Sequence, residues 1–333
     1  MASRRKELVS ISEESLLENI VKKFISSKMP GEYLEYPDDV KDLILGGPKI
    51  IVNVDGTSIG SVKLPWRSYR DVGWTIIVGA ISDHVVKGSF PRDVFVSIGL
   101  SKKNAPEILR ELYLGINDAI KHYNLRLLGG DLNSSNDPWV SVAVIGYTSA
   151  KKPPRRDTAK PGDRIIVTNI YGAMGYVVYN KLIQNPPEWV VKATRRPIVY
   201  IETAAIIASN YRSIHASIDV SDGLGYALYE ISRRSGYGIE LYEKPIYYQE
   251  LEEHCSSEKC LWEYILNGGE EYGAVICVDK GQVDEIIDFF KKFNIPHREI
   301  GIILDTYPKV TIRDIGKVKL MRWDQFGGWI EIK

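Results

Sequence analysis

The chain has 333 residues and a formal net charge of zero, because 43 Lys and Arg balance 43 Asp and Glu. This balance argues against a broad nucleic-acid surface, which needs clustered Lys and Arg. Hydrophobic residues make up 44% of the chain and charged residues 26%, as in globular proteins, and no apolar run approaches the roughly 20 residues of a membrane helix. We therefore expect neither nucleic acid nor a membrane as a partner, and a cytoplasmic location.

The first half of the sequence predicts an alternation of helices and strands. Helices are expected over 12–26 and 105–124, where apolar residues recur at helical spacing. Runs rich in β-branched residues predict strands, at 49–55, 92–100, 125–131 and 139–148. The stretch 71–88 is apolar for most of its length, so its periodicity leaves open whether it is a buried helix or a strand.

A segment rich in Pro and charge, SAKKPPRRDTAKPGD over 149–163, predicts a domain boundary. We place an N-terminal domain at 1–150 and a C-terminal domain at 151–333. Beyond the boundary the pattern restarts, with strands expected at 164–172, within 215–223, at 274–279 and at 298–304, and helices over 173–183, 196–211, 226–236 and 283–293. Gly236 is expected to end the third of these helices. The pattern predicts an α+β second half.

Aspartates follow several of the apolar segments. They are Asp39, which stands beside Asp38, and Asp55, Asp83, Asp131, Asp219 and Asp222. An acid at the end of a buried strand can reach a cleft while its backbone stays anchored. Two carboxylates about 4 Å apart repel by about 4 kcal/mol at an effective dielectric constant of 20, so a shared cleft would need cations. Mg²⁺ prefers oxygen ligands and usually also binds substrate phosphates, which points to metal–nucleotide chemistry.

Each of these acids also has a purely structural interpretation. The Asp-Gly pairs at 55–56 and 222–223 are common turn sequences, and Ser221 or Asp222 could cap the helix that follows. The repeated placement of acids after apolar runs favours the cleft, but the spacing alone leaves both interpretations open.

Cysteine usage gives a second candidate site. Cys255 and Cys260 lie beside His254 in HCSSEKC, where a zinc site would lack a fourth ligand and would have an unusual spacing. A surface loop, with or without a disulfide, is therefore favoured. Cys277 lies in GAVICV and is expected in the core.

Five sequence blocks together resemble a known family. AISDHVVKG, LLGGD, RDTAKPGD, IDVSDGL and NGGEEY occur in an order and at distances similar to those of the aminoimidazole-ribonucleotide synthase superfamily, and within it to those of the thiamine-monophosphate kinases. The resemblance runs from about residue 36 to the C-terminus. It implies two α+β domains, each a mixed or antiparallel sheet with packed helices, and a homodimer formed through the N-terminal domain.

The resemblance also implies a cleft for ATP and several Mg²⁺ ions. The implied metal ligands are Asp39, Asp55, Asp83, Asp131, Asp219 and Asp222. The implied ATP-binding positions are Gly130, Arg156 and Ser221, and the implied substrate-binding positions are Glu270 and Trp323. The implied reaction is ATP-dependent phosphorylation of thiamine monophosphate to thiamine diphosphate. No dedicated catalytic residue is implied, because an attacking phosphate oxygen is already anionic near neutral pH and positioning supplies the catalysis.

The sequence departs from the family pattern around these positions. The replaced residues near the metal acids are Pro37, Asn53, Val54, Leu132 and Asn133, and Val62 stands where thiamine-monophosphate kinases carry a substrate-side His. Two alternatives therefore stay open. One is another ATP-using kinase or synthetase of the superfamily that acts on a different phosphorylated substrate, and the other is a non-catalytic ATP-binding partner protein.

Overall fold

The computed structural model describes residues 30–43, 48–102, 105–180 and 185–332. The strands are β1 (Lys41–Leu43), β2 (Lys49–Ser58), β3 (Phe90–Leu100), β4 (Arg126–Ser134), β5 (Trp139–Thr148), β6 (Arg164–Thr168), β7 (Ile214–Asp219), β8 (Gly238–Leu241), β9 (Ala274–Val278), β10 (His297–Leu304), β11 (Val310–Ile312), β12 (Met321–Asp324) and β13 (Gly328–Glu331). The α-helices are α1 (Ile59–Val62), α2 (Tyr69–Val86), α3 (Ala105–His122), α4 (Ala173–Tyr179), α5 (Glu188–Arg195), α6 (Glu202–Ser209), α7 (Leu224–Ser235), α8 (Glu258–Leu266) and α9 (Val283–Lys292). The helix predicted over 12–26 lies outside the described residues.

The first half of the described chain forms a mixed five-stranded sheet in the order β1-β2-β5-β3-β4. β3 and β4 are parallel and the other pairs are antiparallel. Along β5, buried residues alternate with partly exposed ones, so one face of the sheet packs on the core. The buried residues pack with α2 and α3 in one apolar cluster.

The undecided stretch 71–88 is helical as far as Val86 and belongs to α2. Almost every residue of α2 is buried, and for this reason its sequence shows no apolar stripe. Two glycines allow the close packing of α2 on α3, because a Cβ at Gly73 would collide with the backbone of Leu112, and one at Gly115 with the backbone of Arg70. The helix thus crosses the core and carries polar residues near its end to the second half of the protein.

The second half of the chain forms a six-stranded sheet in the order β11-β8-β10-β6-β9-β7, in which β8 and β11 are parallel. Helices cover both faces: Ile165 and Val167 of β6 pack in one cluster with α4, α7 and α8, while Ile166 packs in another with α6 and α9. Cys277 is fully buried in β9, as predicted. Gly236 ends α7 with φ of 83°, which confirms the predicted cap.

The structure corrects two predicted boundaries and adds elements. The strand predicted over 164–172 ends at Thr168, because Asn169 has a left-handed backbone with φ of 85°. The helix predicted over 196–211 begins only at Glu202, because Arg196 precedes Pro197 and adopts an extended conformation that ends α5. The elements that sequence reasoning missed include α5, α8 and the hairpin of β12 and β13. None of the described helices combines the length and the apolar character that crossing a bilayer requires. The boundary at residue 150 stays a prediction.

Candidate active site

Three of the predicted acids converge where the two halves of the chain meet. Asp39 lies in the segment before β1, Asp83 lies on α2, and Asp219 is the last residue of β7. Each offers a carboxylate oxygen, and the three oxygens lie within 4.8 Å of one another. A set of hard oxygen donors at this separation fits a hard divalent cation such as Mg²⁺. The structure therefore brings together acids that are far apart in sequence.

Burial and mutual repulsion shape the electrostatics of this cluster. Burial, followed by the charges of Asp219 and Asp55, holds the pKa of Asp83 well above its usual range. Burial also raises the pKa of Asp219, and the hydroxyl of Ser82, which donates to Asp219 Oδ2 at 2.6 Å, opposes this shift. Carboxylates in such a setting gain from a cation that neutralises them, which is what a metal site requires.

One of the departures from the family pattern supports the cluster directly. Asn53 of β2 donates from Nδ2 to Asp83 Oδ2 and to the carbonyl of Ala80, both at 3.0 Å. Its Oδ1 lies 3.2 Å from His84 Nε2. Asn53 thus supplies Asp83 with a hydrogen-bond donor.

A cavity of about 620 Å³ opens beside the cluster and takes its walls from both halves of the chain. The predicted site residues that line it are Asp39, Asp55, Asp83, Arg156, Asp219, Ser221, Asp222, Glu270 and Trp323. Val62 also lines it, at the position of the expected histidine. The N-cap residue of α7 is Gly223, so neither Ser221 nor Asp222 occupies that position. The cavity is large enough for a nucleotide-sized ligand.

The structure does not bring Asp131 and Gly130 to this cavity. Both lie on β4, whose residues are all exposed, and they pair with Ser97 and Val96 of β3. Asp131 accepts a hydrogen bond from Asn133 Nδ2 at 2.6 Å. A Cβ at Gly130 would collide with the backbone of Val96, which is a packing reason for this glycine. Their assignments to metal and ATP stay predictions.

Sequence reasoning missed a buried ion pair behind the cluster. Lys87, at the end of α2, lies 2.8 Å from Asp38 Oδ1 and donates to the carbonyl of Ser217 at 2.8 Å. Lys87 is only 1% exposed. Arg156 pairs with Asp39 and lies 3.7 Å from Asp38. In the sequence, Lys87 is recognisable only as a lysine at the end of an apolar run, and such a lysine is equally typical of an ordinary helix C-terminus.

The cysteine pair lies apart from the acid cluster, without a third candidate ligand close by in the described part of the chain. Among the described residues, the only set of three His, Cys, Asp or Glu side chains close enough to share an ion is the Asp39 cluster. Cys255 and Cys260 are free thiols, and burial followed by a hydrogen bond with Cys260 raises the pKa of Cys255 to about 12. Cys260 lies in the first turn of α8, so the predicted loop is in part a helix.

His84, next to Asp83, gives a prediction about acid stability. It is fully buried, and this burial lowers its pKa to about 3. A folded-state pKa below the unfolded value of about 6.5 means that the neutral ring stabilises the fold above that pH and that this contribution is lost as the pH falls. When the pH falls from 7 to 4, we expect the loss of this contribution from His84 to lower the free energy of unfolding by about 3 kcal/mol.

This cost can be measured by comparison with His84→Gln, which keeps a hydrogen-bonding side chain without a titrating ring. Urea unfolding of both proteins from pH 7 to pH 4 should show the parent losing more stability than the variant. Carboxylates with raised pKa act in the opposite direction in both proteins, so they cancel in the difference. Equal losses would contradict the buried neutral state of His84.

Comparison with known proteins identifies the fold and the family. One sequence-family model, the N-terminal domain of AIR synthase related proteins, matches residues 40–148, and a second, their C-terminal domain, matches residues 160–313. The chain belongs to the AIR synthase related protein family. The α+β architecture of two domains, and the resemblance noted in the sequence, are thereby confirmed.

Relatives of this AIR synthase related protein carry a consistent name. Thiamine-monophosphate kinase of Aquifex aeolicus is 27% identical over 296 residues, which cover 86% of this chain and 92% of that protein. The enzyme of the same name from Bacillus subtilis is 28% identical over 280 residues, which cover 80% of this chain and 84% of that protein.

Solved structures agree with these relatives. AaThiL complexed with AMPPCP and TMP has a TM-score of 0.77 and 25% identity, and the match covers 97% of this chain and 99% of that one. The tt0281 protein of Thermus thermophilus has a TM-score of 0.81 at 23% identity, and the match covers 92% of this chain and 98% of that one. This second likeness shows the shared fold.

Proposed function

We propose that this protein is a thiamine-monophosphate kinase, which transfers the γ-phosphoryl group of ATP to thiamine monophosphate and releases ADP. The observation that carries the proposal is the convergence of Asp39, Asp83 and Asp219 within 4.8 Å, beside a cavity lined by both halves of the chain. The names of the relatives support the same reaction, as does the similar structure of AaThiL, which is a complex with AMPPCP and TMP.

The residues of the chain have distinct roles in this reaction. Asp39, Asp83 and Asp219, with Asp55 and Asp222 at the cavity wall, would hold Mg²⁺, which neutralises charge on the transferred phosphoryl group. Arg156, now paired with Asp39, is a cation placed to contact nucleotide phosphate. Trp323 presents an aromatic face to the cationic thiazolium ring of the acceptor. Because the attacking phosphate oxygen is anionic, these groups act by positioning and charge neutralisation.

ADP release over a panel of phosphorylated metabolites tests the proposal. With Mg²⁺ and ATP present, we expect thiamine monophosphate to give the highest kcat/KM. Faster turnover of another panel member would identify a different kinase or synthetase of this family. Val62 lines the cavity in place of the expected histidine, so the panel should include acceptors other than thiamine monophosphate. Nucleotide binding without ADP release from any acceptor would indicate a binding protein and overturn the proposed activity.

We further propose that the protein is a homodimer joined through its N-terminal sheet. β4 is an edge strand, and apolar side chains near it face solvent: Leu132 is 57% exposed and Leu128 is 48% exposed. On the neighbouring strand β3, Phe95 is 39% exposed. A patch of this kind on an unpaired edge marks an association surface, which a second copy of the chain would cover.

Light scattering at micromolar concentration should give the mass of a dimer. The double variant Leu128→Glu and Leu132→Glu should shift it to the monomer mass, because charged side chains would be buried in the interface. Tyr307→Glu is the matched control, since Tyr307 is an exposed aromatic residue of the other half of the chain. A monomeric parent protein, or a double variant that remains dimeric, would contradict this interface.

A further inference from the structure

Arg67 is a buried arginine between the two halves of the chain. It precedes Ser68, the N-cap of α2, and is 1% exposed. Its Nε and Nη2 donate to the carbonyl of Thr194 at 2.9 and 2.5 Å, and its Nη1 donates to the carbonyl of Val62 at 2.8 Å. Nη1 also lies 2.6 Å from Glu270 Oε2. The guanidinium therefore joins α1, α5 and the segment that carries Glu270.

Glu270 lines the cavity and has a backbone conformation that residues other than glycine rarely adopt. Its φ is 57°, and Tyr272, two residues later, has φ of 43°. The amide of Glu270 donates to the carbonyl of Ser221 at 2.7 Å, and that of Tyr272 to the carbonyl of Val220 at 2.8 Å. Non-glycine residues persist in this region where surrounding contacts hold them, and such strain clusters at functional sites.

Arg67 also forms an ion pair with Glu270 at the cavity. A buried guanidinium without a carboxylate would carry a large desolvation cost, and Glu270 is the acid that pairs with it in the described part of the chain. The pair is net neutral, and the Glu270 side chain keeps 17% exposure at the cavity. Because Arg67 neutralises its charge, Glu270 attracts a cation only weakly. Its fixed carboxylate can still accept a hydrogen bond from a donor at the right position.

We propose that Arg67 is a positioning residue that holds Glu270 as a hydrogen-bond acceptor for an N–H group of the phosphate-bearing substrate. The proposal rests on the proposed function, because the aminopyrimidine ring of thiamine monophosphate carries such a donor. At this end of the cavity the Val62 side chain offers no polar atom, and the Val62 carbonyl already accepts from Arg67. Glu270 then supplies the polar contact that the absent histidine cannot.

Hydrogen–deuterium exchange and steady-state kinetics of Arg67→Met, Glu270→Gln and the double variant test this role. In Arg67→Met, we expect exchange of the 268–272 amides to rise about tenfold, because the contact that orders Glu270 is lost. We also expect the KM for thiamine monophosphate to rise about tenfold, with the KM for ATP changed less than about threefold. The double variant should bind acceptor no worse than Glu270→Gln alone, since the two residues act as one unit.

Arg196→Met is the matched control. Arg196 also joins the two halves, through Asp71 at 2.6 Å and Asp118 at 3.0 Å, but neither of these partners lines the cavity, whereas Glu270 does. This variant should lower the melting temperature while leaving exchange at 268–272 and the acceptor KM unchanged. Equal effects of the two arginine variants on these readouts, or unchanged exchange in Arg67→Met, would overturn the positioning role.

A second variant, Arg67→Lys, and the exchange measurement cover the cases in which Arg67→Met does not fold or the proposed substrate is wrong. If Arg67→Met fails to fold, Arg67→Lys replaces it, and the expected rise in exchange and in acceptor KM is smaller because one ammonium cannot reach all three acceptors. If the parent protein does not phosphorylate thiamine monophosphate, the proposed function fails. The exchange result then decides whether Arg67 holds Glu270, and the acceptor KM is measured with whichever panel compound releases ADP. An acceptor that binds equally well to parent and Glu270→Gln would overturn the inference.

Discussion

Asp219→Asn is expected to lower the rate of phosphoryl transfer by about two to three orders of magnitude, the range seen when a group that stabilises a charged transition state is removed. Asp219 shares a site with Asp39 and Asp83, so the substitution removes one carboxylate from a set of three. Asp222→Asn, at the cavity wall, should also lose activity, because the amide cannot supply the charge that a divalent cation requires.

Metal-free Asp219→Asn should be at least as stable as the metal-free parent. Burial raises the pKa of Asp219, which means that its charged form opposes folding at neutral pH. The stability contributed by such a group is present below its unfolded pKa and is lost as the pH rises through its folded pKa. Asparagine removes that charge and also relieves repulsion with Asp83.

Thermal unfolding with and without Mg-ATP separates a ligand role from a turn role. Mg-ATP should raise the melting temperature of the parent much more than that of either variant, because only a ligand that binds the native state stabilises it. Asp118→Asn is the control, since Asp118 pairs with Arg70 away from the cavity. Equal Mg-ATP stabilisation of parent, Asp219→Asn and Asp222→Asn would make both acids ordinary turn residues.

The largest loss of stability is expected from Lys87→Met. The substitution keeps the length of the side chain but leaves Asp38 buried without its lysine, and breaking a buried ion pair in this way costs about 3–5 kcal/mol. The carbonyl of Ser217 loses a hydrogen bond as well. Urea unfolding at pH 7 without nucleotide should show the full effect on the free energy of unfolding.

A second substitution should recover part of this loss. In Lys87→Met with Asp38→Asn, no uncompensated charge remains, so the double variant should be more stable than Lys87→Met alone. Lys291→Met is the control, because its partner Asp288 is exposed and such pairs contribute little. A Lys87→Met protein with an unchanged unfolding midpoint would show that the pair does not stabilise the fold.

Much of the fold follows from local patterns in the sequence. β5 alternates buried and partly exposed residues, and α3 places Leu112 and Ile116 on one buried side, so simple periodicity predicts both. α2 could not be assigned in this way because it is buried on all sides, and only its packing against α3 and the sheet determines that it is a helix. The start of α6 was misplaced because the predicted helix included Pro197.

The acids of the site could be selected from the sequence because they stand after apolar segments and match a family pattern. Asp39, Asp83 and Asp219 do meet, whereas Asp131 lies on an exposed edge strand that one chain does not bring to the cavity. Lys87 and Arg67 could not be selected, since a cation in a sequence says nothing about its burial or its partner. Their roles depend on contacts with residues that are distant in the sequence, such as Lys87 with Asp38 and Arg67 with Thr194.

The C-terminal hairpin has an evolutionary consequence. Among the described strands, β12 and β13 pair only with each other, yet they carry Trp323 and Trp329, whose rings meet at 5.9 Å on the cavity wall. Asn267 anchors the hairpin by accepting from the amide of Met321 at 2.7 Å. Because neither main sheet shares a hydrogen-bond ladder with it, the hairpin can diverge or be exchanged as a module. On the proposal that Trp323 contacts the acceptor, substitutions in the hairpin would change acceptor choice without disturbing either main sheet.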